Sequence, residues 1–302
     1  MMESSKDIAV VVVGMNAWGY VKDCLESLAK TDWKSITHAA VYVDNASTDG
    51  SADNVRARFP EVLVIANPQN VGFCKACNQG AAAVQSRYVF YLNNDTVLYP
   101  DTVPQLFDFL EKVPEAGAAG CRLFYGDMGE QWSARRFPTW KNGVMGRHSF
   151  LSHLFPNARV VREYLYKDQM AAEEPFEVDW VPGSCTLVRR EAAERIGGLP
   201  EELHYWSDAV FCDRLWRSGC KVYFVPRAKL IHFEGKGSGD RTPEWKGWHI
   251  RDFHRGAYAF YCEHYRLGRW NPARWFAALA LGLRCRFLTM TSWGEKHVRP
   301  SG

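Results

Sequence analysis

No run of about 18 apolar residues occurs in this 302-residue chain, so a membrane-spanning helix is not expected. The longest candidate, Trp275 to Met290, is interrupted by Arg284 and Arg286. A basic leader followed by a long apolar stretch is also missing. Met1 to Asp7 is polar and Ile8 to Val13 is only strand length, so no signal peptide is expected. Charge of one sign is scarce: the net charge of +3 is too mild to announce a nucleic-acid partner. The nine cysteines are an odd set without paired zinc spacing. Cys74 and Cys77 make a C-x-x-C, but only Lys75-Ala76 separates them, unlike the apolar or proline-containing interior of redox motifs. Reduced thiols and a cytoplasmic location are therefore expected. Internal repeats and low-complexity tracts are absent as well.

What the chain does have is 47% hydrophobic residues, enough to fill the core of one large or two smaller domains. "IAVVVVG" (Ile8 to Gly14) is a continuous β-branched run, the mark of a strand buried on both faces. A helical pattern follows it, with Val21, Leu25 and Leu28 on one face. Strand and helix patterns then alternate through "HAAVYVDNASTDGS", "SADNVRARF", "EVLVIANP", "CKACNQGAAAVQ" and "YVFYLNND". This βαβαβαβ order predicts a mostly parallel sheet with helices on both faces.

Ligands of such sheets bind beyond the carboxyl ends of the strands. Asn16 follows the first strand, Asp44, Ser47 and Asp49 the second, and Asn93, Asn94 and Asp95 the fourth. Asp, Asn and Ser there suit turns and helix caps, and Asp95 or Thr96 is placed to cap the helix in "PDTVPQLFDFLEKV". The same acid leaving an apolar strand at the ligand edge also suits a divalent cation held through oxygen.

After Leu110 the periodicity loosens into a long stretch rich in aromatic and basic residues, too apolar for disorder and long enough to be functional. "VDWVPGSCTLVRREAAERIGG" returns to strand and helix, and "CKVYFVPRAKLIHFEGKGSG" predicts a strand pair ending at His232. Between them, "ELHYWSDAVFCDRLWRSG" sets Asp208 among aromatic residues at a predicted helix start, as a cap or a base. Asn271-Pro272 predicts the start of a last helix, apolar and nearly free of acids. A helix of that kind lies in a membrane interface or packs on protein.

"VDNASTDGS", "NVGFCKACNQG", "YLNNDT", "SARRFPT", "VDWVPGSCTLVRREA", "RIGGLPEEL" and "VPRAKLIHFEGKGS" stand in an order and spacing that resembles glycosyltransferase family 2. Within it the likeness is to the bacterial rhamnosyltransferase-like branch, and it runs from about Ile8 to Tyr265. It implies an α/β GT-A fold, with a Rossmann-like, mostly parallel central sheet flanked by helices and a C-terminal helical extension. The implied boundaries are a catalytic domain over 1–250, with a nucleotide-sugar half to about 120 and an acceptor half over 121–250, and an extension over 251–302.

By the same resemblance, Asp44 matches the acid that contacts the nucleotide base, and Asn16, Asn70, Gly72, Asn78 and Asn94 fall in the nucleotide-sugar site. Asp95 matches the aspartate of the DXD-like motif that binds Mg²⁺ or Mn²⁺, while Asn93 and Asn94 stand where stricter motifs carry acids. His232 matches a histidine that completes the metal site in some GT-A enzymes; its plain alternative is a satisfied strand-end histidine. Arg135 and Arg136 border the donor or acceptor pocket, where a guanidinium can grip phosphate. Asp208 matches the general base of inverting transfer. The family's usual Glu-Asp-x-Asp-Leu-Cys here reads Ser207-Asp208-Ala209-Val210-Phe211-Cys212, so one acid survives of three.

The implied activity is inverting transfer of L-rhamnose from dTDP-L-rhamnose to a hydroxyl of a bacterial surface polysaccharide or polyprenyl-diphosphate-linked saccharide. A UDP-hexose or UDP-N-acetylhexosamine donor keeps the same mechanism. The missing acids leave open an inactive nucleotide-sugar-binding module. Such an acceptor would bring residues 270–290 to the cytoplasmic face of the inner membrane as a peripheral contact. No feature of the sequence specifies an oligomeric state.

Overall fold

The computed structural model describes residues 5–139, 158–236 and 243–294. The first part alternates strand and helix: β1 (Lys6–Gly14), α1 (Trp18–Ala29), β2 (His38–Asp44), α2 (Ser51–Arg58), β3 (Leu63–Ala66), α3 (Phe73–Ala82) and β4 (Ser86–Asn93). Then come β5 (Thr96–Leu98), α4 (Thr102–Lys112), β6 (Ala116–Phe124) and β7 (Glu130–Gln131). The described part of the long basic and aromatic stretch holds two short helices, α5 (Arg159–Tyr164) and α6 (Lys167–Met170), before β8 (Phe176–Glu177). The rest is β9 (Cys185–Arg189), α7 (Arg190–Arg195), α8 (Ser207–Arg217), β10 (Lys221–His232), α9 (Pro243–His264) and α10 (Pro272–Gly294).

One sheet runs in the order β3-β2-β1-β4-β9-β6-β10-β5, with β7 beside β6 and β8 beside β10. Strands β1 to β4 are parallel, and β9 enters antiparallel between β4 and β6. Because β6 and β10 are antiparallel to β9, they point the same way as β1. The sheet is thus mostly parallel, as expected. β1 explains its own composition: Ile8, Val10 and Val12 enter one core with α1 and α4, and Val11 and Val13 enter the other with α3 and α8. A strand covered on both faces cannot alternate apolar with polar.

Two local expectations are corrected. The pattern from Lys221 forms one twelve-residue strand, not a strand pair; its register against β6 slips between Val225 and Lys229. Pro226 has no N–H to give the ladder, and a bulge absorbs it. Neither Asp95 nor Thr96 caps α4. Thr96 opens β5, which pairs with the end of β10, and Asp101 occupies the N-cap position.

Two arginines lock the sheet from below. Arg189 donates to the carbonyls of Ala116 and Val113 and to the Tyr88 hydroxyl. Arg190 donates to the carbonyls of Ala81, Val84 and Ser86 and to the Ser86 hydroxyl at 2.7–3.0 Å. Both guanidiniums gather several backbone carbonyls from neighbouring segments, which is a structural duty.

α9 crosses residue 250 without a break and packs on α8. Arg214 grips Glu263 through two bonds of 2.7 and 3.0 Å. His264 meets Asp213 at 2.8 Å, and Arg217 donates to the last carbonyls of α9. Asp252 accepts the Tyr205 N–H at 3.0 Å. α10 begins as its sequence predicts: the Asn271 side chain accepts the Ala273 N–H at 2.9 Å with Pro272 leading the helix.

Candidate active site

The carboxyl ends of β1, β2, β4 and β10 share one edge of the sheet. β9 runs the other way, so its amino end, Cys185 opposite Leu92, lies on that edge too. The Asn93 N–H donates to the Ser184 carbonyl at 3.0 Å, which stitches the two together.

The loops after β1 and β2 hold each other. Asn16 takes a left-handed backbone, φ +52°, which asparagine tolerates. Its side-chain oxygen accepts the Thr48 N–H at 2.7 Å, and its own N–H donates to the Ser47 hydroxyl at 3.0 Å. Asp44 is buried at the end of β2; its carboxylate accepts the Ser47 N–H at 2.8 Å and the Tyr42 hydroxyl at 3.2 Å. Asn70 takes the Asn45 side-chain N–H at 2.8 Å and the Gly72 N–H at 2.9 Å. Gly72 has φ +90° at the entry to α3, a backbone that favours glycine. At Gly14 a side chain is excluded for another reason: a Cβ would stand 2.6 Å from the Tyr42 hydroxyl and 3.1 Å from the Asn94 amide nitrogen. Asn94 is thereby placed against the ends of β1 and β2.

Asn78 stands apart from this group. Its amide clasps the backbone of Leu199 from both sides, at 3.0 Å each way, and reaches Glu201 at 3.1 Å. It ties α3 to the segment leading to α8.

Asp95 follows the end of β4 and is buried, with His232 beside it at the end of β10. The imidazole Nε2 lies 3.3 Å from Asp95 Oδ1, and the Lys236 N–H donates to Oδ2 at 3.1 Å. His232 Nδ1 is 2.8 Å from the Gln131 side-chain oxygen, whose amide nitrogen in turn donates to Glu234 at 3.2 Å. With Nδ1–H donating to Gln131, the lone pair of Nε2 faces the carboxylate. Two acceptors turned toward each other suit a cation between them, and a second hydrogen-bond partner on the far nitrogen is how metal-bound histidines are held. Oxygen and imidazole donors fit Mg²⁺ or Mn²⁺, which are commonly held by one or two carboxylates with phosphate oxygens completing the sphere. Among the described residues, no three His, Cys, Asp or Glu side chains form a ready-made cage.

Asp208 opens α8 but does not cap it. The helix starts at Ser207, the N-cap position is Trp206 with φ +70°, and no side chain caps it. The Asp208 carboxylate accepts the Ala209 N–H at 2.9 Å and the Gly183 N–H at 3.4 Å. Phe73, Tyr91, Val181 and Phe211 line the same cavity. Burial pushes its carboxyl up from the ordinary value, against the Arg135 guanidinium and the two backbone donors that hold it down.

Arg135 and Arg136 part company. Arg135 pairs its backbone with Trp180, stacks its guanidinium 4.6 Å from that ring, and acts on Asp208. Arg136 turns the other way, over Tyr166 at 4.6 Å, and donates to the Glu163 carbonyl. The C-x-x-C is inert: burial pushes the Cys74 thiol up to about 12 and Cys77 higher than its ordinary value, and all nine cysteines are free.

Sequence reasoning missed Gln131, Gly183 and the aromatic rim. Gln131 lies 101 residues from His232 in the chain, and nothing local announces it. On the rim, Phe73 meets His204 edge-on at 6.1 Å, and His204 meets the half-exposed Trp248 of α9 at 5.3 Å.

A sheet of this topology, with acids and amides gathered at its carboxyl edge and the half-buried Asp208 carboxylate at the start of α8, is that of a GT-A glycosyltransferase. Residues 9–197 match the family described as Glycosyl transferase family 2, and the chain belongs to that family. It is 28% identical over 305 residues, covering 97% of this chain and 96% of the relative, to the N-acetylglucosaminyl-diphospho-decaprenol L-rhamnosyltransferase of Mycobacterium tuberculosis. Over 56% of this chain and 60% of the relative it is 25% identical to the rhamnosyltransferase WbbL of Escherichia coli. The fold is that of the mannosyltransferase PcManGT of Pyrobaculum calidifontis, solved with GDP-Man and Mn²⁺. The two share 18% identity and a TM-score of 0.60 over 97% of this chain and 74% of that one.

Proposed function

We propose that this glycosyltransferase moves L-rhamnose from dTDP-L-rhamnose to a hydroxyl of a lipid-linked saccharide, with inversion at the anomeric carbon, at the cytoplasmic face of the inner membrane. The observation that carries it is Asp208, a lone carboxylate in an apolar cavity with its pKa raised, at the edge where the sheet gathers its polar ends. The near full-length likeness to a rhamnosyltransferase named for a decaprenol-linked acceptor supports the donor and acceptor class.

In the reaction the acceptor oxygen attacks the anomeric carbon while the carbon–oxygen bond to the diphosphate breaks. Asp208 takes the acceptor proton, and the nucleoside diphosphate leaves on the opposite face. A carboxylate whose pKa is raised is a stronger base than an ordinary one, and a positioned base is worth about 10²–10⁴ in rate. The Arg135 guanidinium favours the charged form of Asp208 against its burial. Asp44, Asn16, Asn70 and Asn94 line the nucleotide side, and Gly72 lets the backbone approach it. Asp95 and His232 would hold a divalent cation, whose chemistry is to neutralise charge growing on the departing diphosphate. Phe73, His204 and Trp248 offer aromatic faces to the acceptor sugar.

The test is a donor panel with a soluble N-acetylglucosaminyl-diphospho-lipid analogue, followed by NMR of the product anomer. Transfer only from dTDP-L-rhamnose, with inverted configuration, is the expected result. Turnover with a UDP-hexose alone, or a retained configuration, would overturn it.

A further inference from the structure

α10 carries an uncovered apolar face. Trp275, Phe276, Leu279, Leu283, Phe287 and Met290 are 59–75% exposed. At 3.6 residues per turn all six fall within an arc of about 120°. The opposite arc, with Ala277, Leu281 and Leu288, is partly covered. Arg274 donates to the Tyr258 hydroxyl at 3.0 Å, and Arg284 lies 3.0 Å from His254. The helix is therefore fixed to α9 by one face and presents the other outward.

The charge around that face has one sign. From His264 to Gly294 the chain has five arginines and no acid. Arg266 and Arg269 stand just ahead of the helix, with Arg269 5.3 Å from the ring of Trp270, which is 80% exposed. Arg286 lies within the apolar arc, where a long stem can lie along apolar surface with its head at the polar boundary. Trp and Arg beside a wide apolar arc match the boundary between acyl chains and phosphate headgroups. Self-pairing would set arginine against arginine with no acid to answer it. No described helix is long and apolar enough to cross a bilayer.

We propose that the outer face of α10 lies flat in the surface of an anionic phospholipid bilayer, with Arg266, Arg269 and Arg286 meeting the phosphates. This deepens the lipid-linked acceptor reading. α9 connects the docked helix to α8 through Arg214–Glu263 and Asp252–Tyr205, so Asp208 is carried at a fixed height above the lipid surface.

The experiment is flotation of the full chain with phosphatidylcholine vesicles, with and without phosphatidylglycerol. Binding is expected with phosphatidylglycerol and to be weaker by about tenfold or more without it or in high salt. The Leu279→Glu/Leu283→Glu double variant should lose about tenfold or more of that binding, with an unchanged unfolding midpoint. Its turnover of a soluble acceptor without lipid should stay at the parent level, which reads the proposed reaction separately. No flotation with phosphatidylglycerol, or equal flotation of the double variant, would overturn the docking surface. So would a dimer in sedimentation that the double variant splits, since the face would then be a contact between copies.

Discussion

His232 Nε2 and Asp95 Oδ1 stand 3.3 Å apart at the ends of β10 and β4, two strands separated in the sheet by β9 and β6. Gln131 sets this relationship by holding the far nitrogen of the ring. Gln131→Leu should weaken divalent-cation activation by about 10–100-fold while leaving maximal turnover at saturating metal nearly unchanged. Titrating Mg²⁺ or Mn²⁺ against nucleotide-sugar affinity in a calorimeter checks it; an unshifted metal requirement would remove His232 from the site.

Asp208→Asn should lower kcat by about 10²–10⁴ with little change in donor affinity. It should also stabilise the fold, by about 1 kcal/mol. The sign follows from the raised pKa: burial penalises the charged form, so the carboxyl supports the fold fully only below its unfolded pKa. That support is lost as pH rises through the folded value, and a neutral amide escapes the loss. Thermal unfolding should show a larger gain at neutral pH than at pH 4.

Arg135→Gln removes the charge that holds the Asp208 carboxyl down. The acid limb of kcat/KM against pH should then move to higher pH, since more of the base is protonated at any given pH. Arg136→Gln should leave that limb in place, because its guanidinium lies over Tyr166. An equal shift in both variants would mean the effect is general charge and not position.

Arg190→Met keeps the stem but strips four hydrogen bonds from Ala81, Val84 and Ser86. Leaving those acceptors unanswered should cost about 3 kcal/mol or more, seen as a lower denaturant midpoint with an unchanged m-value. Arg190 falls in one of the stretches that carry the family likeness, yet its partners are all framework.

The parallel half of the fold was legible because β1, β2 and β4 write their burial into short apolar runs and close each with polar turn residues. Asp44, Asp95 and Asp208 stood out as acids leaving apolar elements. β5 was hidden because three residues, Thr96 to Leu98, are too few to show a period, and a strand pair was expected where Pro226 is absorbed by a bulge. Asn78 and Arg136 lay in the right stretches, but which way a side chain turns is settled by partners 121 and 27 residues away. Gln131 left no trace, since an amide looks the same whether it faces solvent or a histidine.

Trp206, left-handed at φ +70°, is a bulky residue in a costly backbone one step before α8. Its ring rests against Phe253 and Phe260, and Gly256 leaves room for the Tyr205 carbonyl and the indole edge. All three belong to α9, which leaves the ribosome about 150 residues after the last residue of β4. A growing chain can therefore close the contacts among the loops after β1, β2 and β3 early, while the Trp206 turn just ahead of Asp208 waits for nearly the whole protein to be made.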